Sequence, residues 1–386
     1  MNQKCLNVAY MGEDSKNGFL AELLGLYNSN NLTTKLSEGI ETVTSEFNQK
    51  LLARKATIDN NMPIIWNFKM KTTNVNIYSI ESKINDAFNN SLIQCDIGLF
   101  YINGDNSINT EFKNQILLAN ILGIKSALIY INYTDKSSNN TTNKIIDLFV
   151  SKNYKKTRLF IIHSNTKQDI NDAFNNYFKY ESKRKKKTDT LNTTCVPVTN
   201  IFQLNNKYYG INATIVRGNI QINRFLKNSR TGATYKVEEL QVAHNKIENA
   251  EAGSIVGMKI KNASEISLGD ILVEPDCKIE NYTLLTAQVL LIDEKIDRDS
   301  IVSINTIGRD TPVKIVNILK TINNLNKTLV KRPDELKAKE TGVICFQSRE
   351  KLPLKLYCND YTLGSFLLKN ENSKVIGVGI VKNLNH

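Results

Sequence analysis

A chain of 386 residues has room for two or three domains, each burying its own core. Its 41% hydrophobic and 23% charged content is that of a globular chain, with no apolar run long enough to span a bilayer. The formal charge of +12 at pH 7 suits either a polyanionic partner such as RNA or a solvated basic surface, and argues against a membrane partner because no basic amphipathic helix stands out.

The start "MNQKCLNVAY" lacks the charged and apolar regions of a signal peptide, so a cytoplasmic location is expected. Six cysteines stand far apart and never as CxxC, and only three histidines occur. No metal site is therefore expected, and the cysteines read as buried small hydrophobes. Histidine-based catalysis has few places to act.

In chain order, "LNVAYM" predicts a strand and "GFLAELLGLYN" a helix. "IIWNFKM" and "NVNIYSIE" read as a strand pair, and "CDIGLFYING" as a buried strand before the helix "NTEFKNQILLANILG". "KSALIYINYTD", "TTNKIIDLFVSKN", "TRLFIIHSN" and "DINDAFNNYFKY" continue as strand, helix, strand, helix. Strands separated by helices of this length predict a doubly wound α/β sheet, with ligands at the carboxyl ends of its strands. The run "ESKRKKKTDTLNTT" ends that pattern and reads as a basic linker. From Cys195 onward, short alternating runs punctuated by glycine and asparagine predict two small β-barrels. The expected division is an α/β domain over 1–181, a linker over 182–192, and barrels over 193–278 and 279–386.

The first strand runs into Gly12, a polar loop and a helix, which is the layout of a phosphate-binding loop. Such a loop reads GxxxxGK[ST], and counting from Gly12 its last three positions hold Asn17, Gly18 and Phe19. Asn17 carries a Cβ where backbone must approach phosphate. Gly18 offers no cation to the β- and γ-phosphates, and Lys16 stands two residues early. Phe19 offers no oxygen to Mg²⁺. Each charge-assisted contact of this kind is worth roughly 1.5–3 kcal/mol.

The order of domains, together with "LPLKLYCNDYTLGSFLLKNENSKVIGVGIV", resembles the translational GTPases of the elongation factor one alpha, release factor three and Hbs-type rescue factor group. Leu363, Gly364 and Phe366 stand as in that family's LGRF pattern, and Val375 to Gly379 as in its TIAxG pattern. "VPVTNIF…GINATIVRGNI" and "AEAGSIVGMKIKN…ISLGDIL" are similar to the opening and closing strands of the family's first barrel. The resemblance implies a G-domain-like P-loop fold followed by two all-β barrels. The sequence begins directly at the α/β domain, so the extension often present in release and rescue factors is expected to be absent.

Against that family, Ser79, Ser82 and Lys83 align with the DxxGH motif, and no histidine precedes His163. A water-orienting group is typically worth about 10²- to 10⁴-fold in rate, and nothing here supplies it. "INYTD" keeps Asn132 and Asp135 of the guanine-reading NKxD motif, with Tyr133 for its lysine; the same two residues also suit an ordinary turn. Ser164 aligns with the last base-contacting loop. Gly12, Lys16, Asn17, Gly18, Phe19, Ser79, Asn132, Asp135 and Ser164 are thus vestigial nucleotide positions. No catalytic residue is assigned, no cofactor is expected, and GTP or GDP binding is expected to be weak at best.

The family places its barrels against a tRNA-shaped cargo and its α/β domain against the ribosome. The implied function is a pseudo-GTPase of the release and rescue branch. Its implied partners are the ribosome with its rRNA and either a class one release factor or a Pelota-type factor, with the chain a monomer in a heterocomplex. Gly364, Ser365, Lys369 and Asn370 are the candidate partner-binding positions. A divergent active GTPase, or a ribosome-silencing or scaffold protein, is the alternative.

Overall fold

The computed structural model describes residues 4–12, 64–70, 73–79, 92, 94–104, 108–132, 139–162, 167–185, 194–242, 245–277, 280–307, 309–324 and 327–385. They fall into two compact units, Met1–Thr188 and Asp189–His386.

The first unit is built on a six-stranded sheet of β1 (Lys4–Gly12), β2 (Ile64–Met70), β3 (Thr73–Ser79), β4 (Ile97–Asn103), β5 (Ala127–Asn132) and β6 (Leu159–Ile162). The spatial order is β2-β3-β1-β4-β5-β6. β2 runs antiparallel to β3 through seven paired residues, and the other neighbours are parallel. Three helices are described: α1 (Thr110–Ile121), α2 (Asn139–Ser151) and α3 (Lys167–Lys185).

Alternation along the strands divides the core between two faces. Val8, Tyr10, Leu99 and Leu128 pack with Phe174, Tyr177 and Phe178 of α3. On the other face, the Phe100 ring meets Phe112 of α1 at 6.3 Å and Phe149 of α2 at 4.9 Å, both edge-on. The sheet is therefore covered on both sides. Asn109 starts α1 by accepting from the Phe112 amide at 2.7 Å, a side-chain N-cap.

α3 continues four residues past 181, so the first residues of the basic run are helical. Glu181 is buried and accepts from Ser126 Oγ at 2.7 Å, and Tyr177 Oη donates to the same hydroxyl at 3.2 Å. This buried network pins the last turns of α3 to the start of β5.

The second unit holds two barrels. The first has β7 (Cys195–Gln203), β8 (Tyr208–Thr214), β9 (Asn219–Gln221), β10 (Phe225–Asn228), β11 (Thr234–Val242), β12 (Asn245–Lys246), β13 (Asn249–Glu251), β14 (Ile255–Lys261) and β15 (Ile271–Val273). Six of them close in the order β10-β15-β7-β8-β14-β11, with β10 returning to β11. The second has β16 (Asn281–Leu291), β17 (Ile296–Asp297), β18 (Ile301–Thr306), β19 (Arg309–Asn323), β20 (Leu329–Lys331), β21 (Glu335–Leu336), β22 (Glu340–Pro353), β23 (Ser365–Lys369) and β24 (Val375–Asn385). It closes as β18-β23-β24-β16-β22-β19, and β20 pairs outside the ring. Inward-facing Val256, Met258 and Ile260 of β14, and Leu285, Ala287 and Val289 of β16, fill the two cores.

The cysteines do not behave alike. Cys195 is buried, Cys95, Cys277 and Cys345 are half-buried, and Cys358 is exposed. Burial pushes the Cys195 thiol up to about 11, against the opposing pull of the Arg217 guanidinium. Its thiolate fraction at pH 8 is then lower than that of an ordinary thiol by roughly two orders of magnitude. Alkylation of the native protein at pH 8 should therefore modify Cys358 long before Cys195. Mass spectrometry of timed samples checks this, with labelling of both only after unfolding.

Candidate nucleotide site and barrel contacts

The carboxyl ends of β1, β4 and β5 meet where a doubly wound sheet takes its ligand. Gly12 pairs with Tyr101, and Asn103 with Asn132. A Cβ on Gly12 would lie 2.6 Å from the Tyr101 carbonyl oxygen and 2.7 Å from its Cβ. The close approach of neighbouring strands alone thus requires glycine at position 12. The Tyr101 ring stacks on Tyr130 at 5.8 Å, and its hydroxyl accepts from Asn132 Nδ2 at 2.9 Å. Asn132 is held against β4 by this tyrosine. Sequence inspection missed Tyr101, because only strand pairing brings it beside both Gly12 and Asn132.

Ser79 ends β3, opposite Tyr10 of β1 and Ile64 of β2. Lys16, Asn17, Gly18, Phe19, Ser82, Lys83, Asp135 and Ser164 lie outside the described residues. Among the described residues no group of three His, Cys, Asp or Glu side chains could hold a metal ion.

The four candidate partner positions are drawn into the second barrel. Every residue of β23 is buried, so alternation leaves neither of its faces open. Ser365 Oγ donates to the Tyr361 carbonyl at 2.7 Å. The Lys369 side chain is 2% exposed and its ammonium lies 2.8 Å from Asp310 Oδ2. Asn370 builds the turn into β24, accepting from the Lys374 amide at 3.0 Å and donating to Glu294 Oε2 at 2.8 Å. Hydrogen bonds from Asn370 and Lys374 hold the Glu294 carboxyl below its usual range. Gly364 has no room for a side chain, since a Cβ would lie 2.5 Å from Tyr357 Cα and 2.6 Å from the Asp360 carbonyl. Both obstacles are backbone, so Gly364→Ala is expected to cost about 1–3 kcal/mol. A lowered thermal midpoint of the barrel unit checks it.

Two ionic contacts join the barrels, and neither was singled out in the sequence. Asp270, almost fully buried, accepts from Asn228 Nδ2 at 2.7 Å, Arg230 Nε at 2.6 Å and the Ser267 amide at 2.9 Å. Arg309 of the second barrel reaches the same carboxylate at 3.5 Å. The neighbouring Gly269 is left-handed, with φ +79°, and a Cβ there would lie 2.5 Å from Arg309 Cβ. On another strand, Arg217 of the first barrel meets Asp360 of the second at 2.7 Å, with both side chains largely buried.

Residues 284–382 match the family model described as GTP-eEF1A C-terminal domain-like. The elongation factor SelB of Methanococcus maripaludis with a GTP analogue superposes at a TM-score of 0.67 and 15% identity, covering 100% of this chain and 80% of that one. The GTPase-like domain of S. cerevisiae Ski7, bound to GDP and inorganic phosphate, gives 0.69 at 15% identity, covering 99% and 98%. The chain has the fold of these translational GTPases, and its second barrel matches a family model of their kind.

Elongation factor 1-alpha 2 of Euplotes crassus is 25% identical over 310 residues, which is 71% of this chain and 67% of that protein. Sulfate adenylyltransferase subunit 1 of Vibrio atlanticus (strain LGP32) is 21% identical over 308 residues, or 75% of this chain. The chain spans 64% of that relative's length. A mostly parallel sheet whose β1 ends at Gly12 and two closed barrels are in place here.

Proposed function

We propose that this translational GTPase-fold protein is a pseudo-GTPase of the release and rescue branch. In this role it carries a tRNA-shaped protein factor to the ribosomal factor site in the cytoplasm without efficient GTP hydrolysis. The observation that carries the proposal is the pair Gly18–Phe19, which presents a hydrogen atom and a phenyl ring where triphosphate and Mg²⁺ need a cation and an oxygen. The absence of any histidine before His163 adds to it, because the attacking water has no imidazole to orient it. The likeness to the Ski7 GTPase-like domain supports the branch, since each chain covers almost all of the other. Ski7 was crystallised with GTP, so a weak nucleotide contact is compatible with the proposal.

A divergent active GTPase is the second reading, favoured by several relatives named for an enzyme subunit, sulfate adenylyltransferase subunit 1. Co-sedimentation with ribosomes, and pull-down of a class one release factor and of a Pelota-type factor, test the proposal. Retention of ribosomes and one of these factors without nucleotide is expected. Ribosome binding that appears only with GTP, together with multiple-turnover hydrolysis, would overturn it in favour of the second reading.

A further inference from the structure

β20 is three residues long and lies at the end of its sheet, paired with β19 alone. Left-handed residues bound it on both sides, Lys327 at φ 58° and Arg332 at φ 49°. The Asn323 amide donates to the Thr328 carbonyl, and the Arg332 amide to the Leu319 carbonyl. In an antiparallel ladder the bonded residues alternate, so Val330 completes that set opposite Thr321. The N–H and C=O groups of Leu329 and Lys331 therefore point away from β19, into solvent.

The side chains around this edge set exposed apolar surface beside the lysines that commonly blunt one. Leu329 and Val330 are 48% and 47% exposed, and Val316 and Leu319 of β19 are also exposed. Natural edges are normally blunted by proline, by a covering segment or by charge. Charge is present here, but all of one sign. Lys320, Lys327, Lys331 and Arg332 have no acidic partner among the described residues. The nearby acids are engaged elsewhere, Asp334 by Arg298 and Glu335 by Lys295 and Lys337.

We infer that the free edge of β20 docks an extended segment of a protein partner in which aliphatic and acidic side chains alternate. Main-chain bonds to Leu329 and Lys331 would add a strand; its aliphatic groups, all on one face, would cover Val330 and Leu319, and its carboxylates, on the other face, would meet Lys320 and Lys331. Single-stranded RNA fits less well, because β19 and β20 carry no aromatic side chain on which a base could stack. Docking here requires no nucleotide, so it succeeds or fails independently of the pseudo-GTPase assignment.

The test uses the full chain and a fluorescein-labelled peptide that alternates Val or Ile with Glu. Its controls are the same peptide with Lys for Glu and an oligouridylate of equal charge. Fluorescence anisotropy should show the Glu peptide binding at least tenfold more tightly than the Lys peptide. Leu329→Pro removes an outward N–H while leaving the β19 ladder intact, and should weaken binding at least tenfold. The exposed pair Lys320→Glu/Lys331→Glu should reverse the peptide preference without moving the thermal midpoint. Hydrogen exchange should slow at the Leu329 and Lys331 amides when the Glu peptide is bound. Preference for the oligouridylate, binding unaffected by either variant, or no binding of the Glu peptide would overturn the inference.

Discussion

Replacement of Asp270 by alanine is expected to destabilise the barrel unit by about 2–5 kcal/mol, at roughly 1–3 kcal/mol for each buried donor left unsatisfied. The loss would come chiefly from the groups left behind. Asn228 is fully buried, and its Nδ2 has Asp270 as its acceptor. The Ser267 amide would lose its acceptor as well. Arg230 and Arg309 are each more than a quarter exposed and can turn to water, so their share is smaller. Asp270→Asn keeps the shape and some of the hydrogen bonds, and is expected to cost roughly half as much.

Denaturant titration followed by two probes distinguishes this from a general loss of stability. The only tryptophan is Trp66, on β2 of the first unit. Its fluorescence transition should stay in place while the circular-dichroism transition of the barrels moves to lower denaturant. Equal shifts in both would show that Asp270 does not act locally. Because the chain has two compact units, the comparison is of midpoints rather than of a single unfolding free energy.

The second large effect concerns magnesium. GTP affinity should change by less than about twofold between millimolar Mg²⁺ and EDTA, because Phe19 supplies no oxygen for the ion. Two missing contacts of roughly 1.5–3 kcal/mol each correspond to affinity about 10²- to 10⁴-fold below that of a complete phosphate-binding loop. Gly18→Lys/Phe19→Thr restores both groups and should bring back Mg²⁺ dependence, with affinity at least tenfold higher. Isothermal titration or labelled-nucleotide anisotropy measures both proteins. Tight, Mg²⁺-dependent binding by the unaltered chain would remove the central support for a pseudo-GTPase.

Much of the architecture was legible in sequence because it depends on local pattern. The pairing of "IIWNFKM" with "NVNIYSIE" follows from two β-rich runs separated by a short polar break, and the two strands pair residue for residue. The helix after "CDIGLFYING" begins where Asn109 can cap it. The barrels were visible as alternation punctuated by turn residues, and both close. What alternation could not show is a strand covered on both sides. Ser365 and Lys369 looked available to a partner, yet β23 is wholly buried and Lys369 is paired with Asp310, 59 residues away in the chain.

The sequence by itself determined the domain types and the side chains standing at positions 18 and 19, because periodicity and side-chain identity are properties of single segments. Only the tertiary structure decided that Tyr101 holds Asn132, that Asp270 and Asp360 join the barrels, and that β20 keeps a free edge. Each of these depends on which distant strands become neighbours. That choice is made by burial summed over a whole core, and no short stretch of residues records it.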